Sequence, residues 1–184
     1  MAEFDLAKYS EVIDFMKTAH GNQMRAFTKV PYWTHPVRVA NLVMKYKKSH
    51  EIDNIVIAAL LHDVLEDTAK KWHDLPVQDI ALNLIIELTS DPEEIKEKGK
   101  AVYLTNKMIN MSSWGLVIKL CDRLDNVTDF VFCPPKFILK YGKETDWILD
   151  SIRRSRELSK THSQIIDDIY KILDVYYDRR ESAK

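Results

Sequence analysis

The stretch Ile52-Asp53-Asn54-Ile55-Val56-Ile57-Ala58-Ala59-Leu60-Leu61-His62-Asp63-Val64-Leu65-Glu66-Asp67 decides how the chain is built. From Ile52 to Leu65 it is apolar nearly all round, the pattern of a central buried helix in a helical protein. Four polar residues then enter abruptly at its end. On a helix His62 and Glu66 are four apart, Asp63 and Glu66 three apart, and Asp63 and Asp67 four apart, so they share a face. Three carboxylates crowded there repel one another, and a divalent cation removes that cost. A mixed imidazole and carboxylate set suits manganese, iron or zinc better than calcium or magnesium. Taken alone, a satisfied His-Asp pair followed by a solvated helix end accounts for the same residues.

On both sides of this helix the chain keeps a helical period. Only 4 Gly and 6 Pro occur in 184 residues, and apolar residues recur at three- and four-residue intervals rather than alternating, which makes the fold all-α. Leu6, Tyr9, Val12, Ile13 and Met16 form one stripe, with Gly21 as its stop. A polar loop then runs to Pro36, which suits the first turn of a helix with Thr34 or His35 near the cap and an end at about Lys48. Further helices are expected from Val77 to Thr89, and from Asp91-Pro92-Glu93-Glu94, with its acidic first turn, in one piece to about Asn110. Ser112 or Ser113 caps the next, which carries Leu116, Val117, Ile118, Leu120 and Asp122. Pro134-Pro135 breaks the pattern, and two last helices fit Glu144 to Leu158 and His162 to Tyr177. No repeat, low-complexity tract or linker divides the chain, so residues 1–184 read as a single domain, with its motifs within about 19–129 and its last helices within about 144–181.

The 27 basic and 28 acidic side chains nearly cancel, to a net charge of −1. No long-range field draws such a chain to nucleic acid or to a lipid surface, and no basic stripe with interleaved aromatics appears. A small anionic ligand therefore needs a local basic pocket. Met1 to Tyr9 carries Glu3, Asp5 and Lys8, unlike a secretory signal, and no run approaches the roughly 20 apolar residues that span a bilayer. These features place the protein in the cytoplasm. Cys121 and Cys133 lack zinc-site or redox-pair spacing and read as buried free thiols. No feature of the sequence speaks to oligomeric state.

Two more residues stand out. Asp122 follows the apolar run Leu116 to Cys121, where a lone carboxylate is costly unless it is metal-bound or paired, with Arg123 or Arg38 as candidate partners. His35 stands just before Pro36 at a helix start. The set His35, His62-Asp63 and Asp122 resembles, in order and spacing, the HD superfamily of metal-dependent phosphohydrolases. Four segments narrow the likeness: Ala19-His20-Gly21-Asn22-Gln23-Met24-Arg25, Pro31-Tyr32-Trp33-Thr34-His35-Pro36, Ala58 to Thr68, and Lys119-Leu120-Cys121-Asp122-Arg123-Leu124-Asp125-Asn126 are similar to the hydrolase domain of the RelA/SpoT family.

That resemblance implies a helical HD fold and one divalent ion, manganese with iron or zinc as alternatives, held by His35, His62, Asp63 and Asp122. It implies release of the 3′-pyrophosphate from ppGpp and pppGpp, with Glu66 and Asp67 as the catalytic carboxylates that orient water and move protons. The substrate is a small nucleotide, met by Arg25 and Lys29 in the loop before His35, by Lys98 and Lys100, by Asn126 near the nucleoside, and by Tyr141 at the sugar or phosphates. Tyr32, Trp33 and Trp114 are expected in the core or pocket wall. Arg25-Ala26 replaces the family's Arg-Lys pair, Asp125 replaces an aromatic residue or His, and Asp129 replaces a Thr of the long enzymes. The chain is too short for the synthetase and regulatory domains as well, so it resembles a stand-alone small alarmone hydrolase. Removal of the 2′-phosphate of NADPH, or another HD nucleotidase activity, is the nearest alternative. A non-catalytic nucleotide-binding regulator with a vestigial metal site is the second.

Overall fold

A computed structural model describes residues 6–176, the side chain of Leu6 excepted. The segment Met1 to Asp5, read above for a signal, and the expected end of the last helix at Tyr177 and beyond lie outside the described residues. Ten α-helices carry the described chain: α1 (Ser10–His20), α2 (Thr34–Tyr46), α3 (Ile52–Leu61), α4 (Val64–Asp67), α5 (Asp79–Leu88), α6 (Pro92–Lys98), α7 (Lys100–Asn110), α8 (Ser113–Thr128), α9 (Pro135–Ser155) and α10 (Lys160–Tyr176). Among the described residues there is no strand, only one isolated bridge between Met24 and Pro31, and no helix is long and apolar enough to cross a membrane. The fold is all-α, as the period of the sequence implies.

Two helices form the centre. On α3, Ile55, Val56, Ala58, Ala59, Leu60 and Leu61 are wholly buried, and the helix packs against α1, α2, α5 and α8. On α8, Leu116, Val117, Ile118, Leu120 and Cys121 are equally buried, enclosed by α2, α3, α5 and α10. Burying each such large side chain contributes about 1.5–3 kcal/mol. This centre fixes α2, α3 and α8 against one another, and they carry the functional side chains. Cys121 is buried and Cys133 half-buried, and both are free thiols.

Local chemistry sets the helix ends. Asp91 accepts hydrogen bonds from the Glu93 and Glu94 amides at 2.9 and 3.3 Å, with Pro92 in the first turn of α6. Ser112 caps α8 by accepting from the Gly115 amide at 3.0 Å, and Glu87 of α5 in turn holds the Ser112 amide and hydroxyl at 2.6 and 2.7 Å. At the far end of α7, the Arg156 guanidinium donates to the carbonyls of Met108, Ile109 and Met111, which have no helical partners of their own. Trp33 stands at the start of α2 without a side-chain cap, so neither Thr34 nor His35 caps it.

Three expectations of extent are corrected. The central helix does not run unbroken to Leu65: α3 stops at Leu61, and His62-Asp63 form a turn before α4. The His62 ring donates from Nδ1 to the Ala59 carbonyl at 2.8 Å, occupying the acceptor that the helix ladder would offer the Asp63 amide, and such insertion is an identifiable cause of a helix break. The single helix expected from Asp91 to Asn110 is two, divided at Gly99, whose φ of 80° only glycine adopts readily. Finally, α9 begins at Pro135 and not at Glu144, because Pro135 is the first-turn proline of a 21-residue helix.

Candidate metal centre

His35 on α2, His62 and Asp63 in the turn after α3, and Asp122 on α8 meet in the interior. One ligand atom from each of His35, His62 and Asp122 lies within 4.8 Å of the others. His35 Nε2 is 3.2 Å from Asp122 Oδ1 and 3.5 Å from Asp63 Oδ2. His62 Nε2 is 3.1 Å from Asp63 Oδ2 and 3.9 Å from Asp122 Oδ1. Both imidazoles are 1% exposed. The three segments converge because α2, α3 and α8 are mutually packed, so the site follows from the core.

Each ring is held by its other nitrogen. His35 Nδ1 donates to Asp125 Oδ2 at 2.6 Å, and His62 Nδ1 to the Ala59 carbonyl. Both arrangements aim Nε2 at the cluster, the orientation that a metal-binding histidine needs once that nitrogen gives up its proton. His62 Nε2 is buried with no hydrogen-bond partner, and its 3.1 Å approach to Asp63 lacks hydrogen-bond geometry. An orphaned, buried imidazole nitrogen beside two carboxylates fits a divalent ion of the borderline class.

The charges of the cluster act on one another strongly. Burial opposes the charged form of His35, but its bonds to Asp122 and Asp125 outweigh this and hold it up at about 9. Burial also works against ionised Asp122, yet Lys119, at 3.2 Å, and the two imidazoles keep it well below the usual carboxylate range. Asp63 is likewise depressed against its burial, by His62 and His35. Lys119, buried and otherwise easily discharged, is raised by Asp122, Asp63 and Glu66. Tyr32 is pushed far up, by burial first and then by Asp63, whose Oδ2 accepts its hydroxyl at 2.6 Å.

Beside the cluster lies a cavity of about 360 Å³, with Arg25, Tyr32, Asn126, Asp129, Phe137 and Tyr141 in its wall. Tyr32 and Asn126 belong to both sites, since Asn126 donates to Asp122 Oδ1 at 2.7 Å. Arg25 Nη2 reaches Asn126 and Asp129, each at 2.9 Å. Tyr141 stacks on Phe137, ring centres 5.6 Å apart. The cavity thus combines a guanidinium with aromatic faces.

The other expected residues are placed less centrally. Glu66 and Asp67 are exposed on α4, where Glu66 Oε1 accepts from the Ser90 amide at 2.7 Å and Asp67 Oδ2 from the Gln23 amide group at 3.1 Å. Lys29 is exposed at the loop tip, with φ of 57°. Lys98 and Lys100 are exposed. Lys98 is paired with Glu94 and lines a separate cavity with Glu87 and Lys107. The alternative partners for Asp122 are excluded: Arg123 bonds Thr145 and faces Glu144, while Arg38 grips Asp125. Trp33 and Trp114 pack against the core. Among the residues that support the cluster, Lys119 was not singled out from sequence, while Arg38 enters there only as a candidate partner of Asp122, Asp125 only as a departure from the family pattern, and Tyr32 only as core or pocket wall. The spacing Asp122, Asp125, Asn126, Asp129, which is one polar face of a helix, is the signal that marks the α8 members.

The class that this fold and site define is the HD-domain protein, and the HD domain profile matches residues 13–103. The guanosine-3′,5′-bis(diphosphate) 3′-pyrophosphohydrolase MESH1 of Drosophila melanogaster is 30% identical over 133 residues, covering 70% of this chain and 73% of the relative. MESH1 of Xenopus tropicalis is 32% identical over 140 residues, with 72% and 74% covered. The chain belongs to the MESH1 family of HD-domain proteins. A probable guanosine-3′,5′-bis(diphosphate) 3′-pyrophosphohydrolase from Mycoplasma pneumoniae is 29% identical over 183 residues, but there the chain, 92% covered, spans only 24% of the relative's length. A solved metazoan ortholog of SpoT, described as hydrolysing ppGpp, superposes with a TM-score of 0.73 at 23% identity, over 92% of this chain and 97% of that one, a likeness of fold. HD hydrolases are metal-dependent, and the His/Asp cluster is where this chain can hold an ion.

Proposed function

We propose that the chain is a metal-dependent nucleotide phosphohydrolase of the cytoplasm that removes the 3′-pyrophosphate of ppGpp or pppGpp. The observation that carries this reading is the buried cluster of His35, His62, Asp63 and Asp122, with its orphaned His62 nitrogen, opening beside a cavity that presents Arg25. These four side chains would hold one divalent ion, manganese, with iron or zinc as alternatives of the same donor preference. When bound, the ion supplies Lewis acidity toward phosphate and a water of lowered pKa.

The chain's own residues do the rest. Arg25 offers a cation to the phosphates, and Phe137 and Tyr141 offer apolar faces to the base and sugar. Hydrolysis adds the elements of water across the bond between phosphorus and the ribose 3′-oxygen: one proton leaves the attacking water and one arrives on the 3′-oxygen, releasing pyrophosphate and GDP or GTP. Glu66 and Asp67 move those protons, and each is steadied through one oxygen, by the Ser90 amide and by Gln23. Lys29, Lys98 and Lys100 are exposed cations that can add to phosphate binding.

The test is a substrate panel of ppGpp, pppGpp, NADPH and nucleoside monophosphates with manganese, repeated with chelator. Chelator-sensitive release of intact pyrophosphate from ppGpp is expected. Orthophosphate from NADPH or from a monophosphate instead would move the protein to another HD activity, and no chelator-sensitive turnover at all would favour a binding role.

A further inference from the structure

Seven side chains close a ring of polar contacts that joins two ligands of the cluster to the cavity. His35 Nδ1 donates to Asp125 Oδ2 at 2.6 Å. Arg38 grips the same carboxylate with a fork, Nε to Oδ1 at 2.7 Å and Nη2 to Oδ2 at 2.9 Å. Arg38 Nη2 also reaches Asp129 Oδ2 at 3.0 Å, which Arg25 holds from the cavity side at 2.9 Å. Arg25 donates to Asn126 at 2.9 Å, Asn126 to Asp122 Oδ1 at 2.7 Å, and that oxygen lies 3.2 Å from His35 Nε2, where the ring closes.

Asp122, Asp125, Asn126 and Asp129 stand at intervals of three, one and three on α8 and the turn that follows, and so share one face. Three carboxylates on one face, largely shielded from water, need counter-charges to stay ionised. Lys119 serves Asp122, and the two guanidiniums serve the others. A planar guanidinium does more than neutralise, because two parallel bonds fix the plane of the carboxylate that it grips. Asp125 is 3% exposed, and its orientation sets that of the His35 ring. Arg38 is different in kind: its side chain is 37% exposed, and it grips Asp125 and Asp129, neither of them a member of the ligand cluster.

We infer that Arg38 is a positioning residue for the metal centre, acting on the imidazole of His35 through Asp125. The inference rests on the reading of His35, His62, Asp63 and Asp122 as metal ligands. Outer partners of a metal-bound histidine commonly change metal affinity by about 10–100-fold. Arg38 adds one further link to that chain, from the surface of the protein to the ion.

The test is a double-mutant cycle read as manganese affinity, with free Mn²⁺ followed by electron paramagnetic resonance as metal-free protein is titrated. Asp125→Asn is expected to weaken binding about 10–100-fold. Arg38→Gln is expected to weaken it about 3–10-fold, a smaller part of that range because it acts one contact further out, with partial rescue by Arg38→Lys. In the Asp125→Asn background Arg38→Gln should change nothing. Equal losses in both backgrounds, or wild-type affinity in Arg38→Gln, would overturn the inference. Melting of the metal-free proteins checks that each is folded. Should Asp125→Asn not fold, the His35 Nδ1 proton of Arg38→Gln decides: its NMR signal should move upfield and exchange faster, and an unchanged signal overturns the inference. A wild-type protein that binds no manganese would instead remove the metal reading itself.

Discussion

Glu66 and Arg25 are held by contacts that differ in kind, and their variants should fail differently. Glu66 is exposed and bonded to the Ser90 amide, outside the ligand cluster. Glu66→Gln keeps that bond and should leave manganese binding intact, while turnover falls by about 10²–10⁴-fold, the usual worth of a positioned acid or base. Titrating metal and measuring kcat on the same preparation separates the two. Arg25 lies in the cavity wall, where its contacts are to Asn126 and Asp129. Arg25→Gln should raise KM for ppGpp about 10–100-fold and spare kcat more, because a charged hydrogen bond of about 1.5–3 kcal/mol is lost from substrate and transition state alike. At this scale the candidate ligands were legible in the sequence, since a carboxylate after Leu116–Cys121 and a His-Asp pair after Ile52–Leu61 demand explanation, and the fold brings them together. Their partners were not legible. The counter-ion of Asp122 is Lys119 rather than Arg123 or Arg38, a choice made by how α8 rotates against its neighbours.

At the level of elements, the helix breaks matter most. The turn at His62-Asp63 puts the ligands in the interior while Glu66 and Asp67 stay exposed on the next short helix. The apolar run gave no sign of it, because His62 keeps helical backbone angles, Asp63 departs only to φ of −98° and ψ of −6°, and a side-chain bond takes the ladder's acceptor. Gly99 is the opposite case, a break that the residue itself announces. With φ of 80° and ψ of 144°, Gly99→Ala should cost about 1–3 kcal/mol, although open space surrounds the position. Denaturant unfolding at constant m would show it as a lower midpoint. The start of α9 was legible in principle, for Pro134-Pro135 can begin a helix as readily as end one. What decides is Phe137 and Tyr141, four apart, which stack on each other and meet Phe130 edge-on, a contact beyond any local pattern.

For the whole molecule, the helical class followed from period and from scarce glycine and proline, which composition alone carries. Which helices touch did not follow, and the site depends on that. Because α2, α8 and the turn after α3 bring the ligands together only in the folded state, an ion should bind the folded chain far better than the unfolded one. At 100 times its dissociation constant, it adds about 2.7 kcal/mol. For a chain of this size that raises Tm by roughly 5–10 °C, so a melt with chelator should fall by that amount and recover when manganese is restored in excess. The same convergence has a topological meaning. Candidate ligands drawn from the chain before and after the exposed stretch 71–74 would make a bound ion a reversible stitch, fastening one part of the polypeptide to the other as a covalent cross-link would. A protease that nicks the backbone in that stretch should leave two pieces that co-migrate while manganese is present, and chelation should hasten their parting.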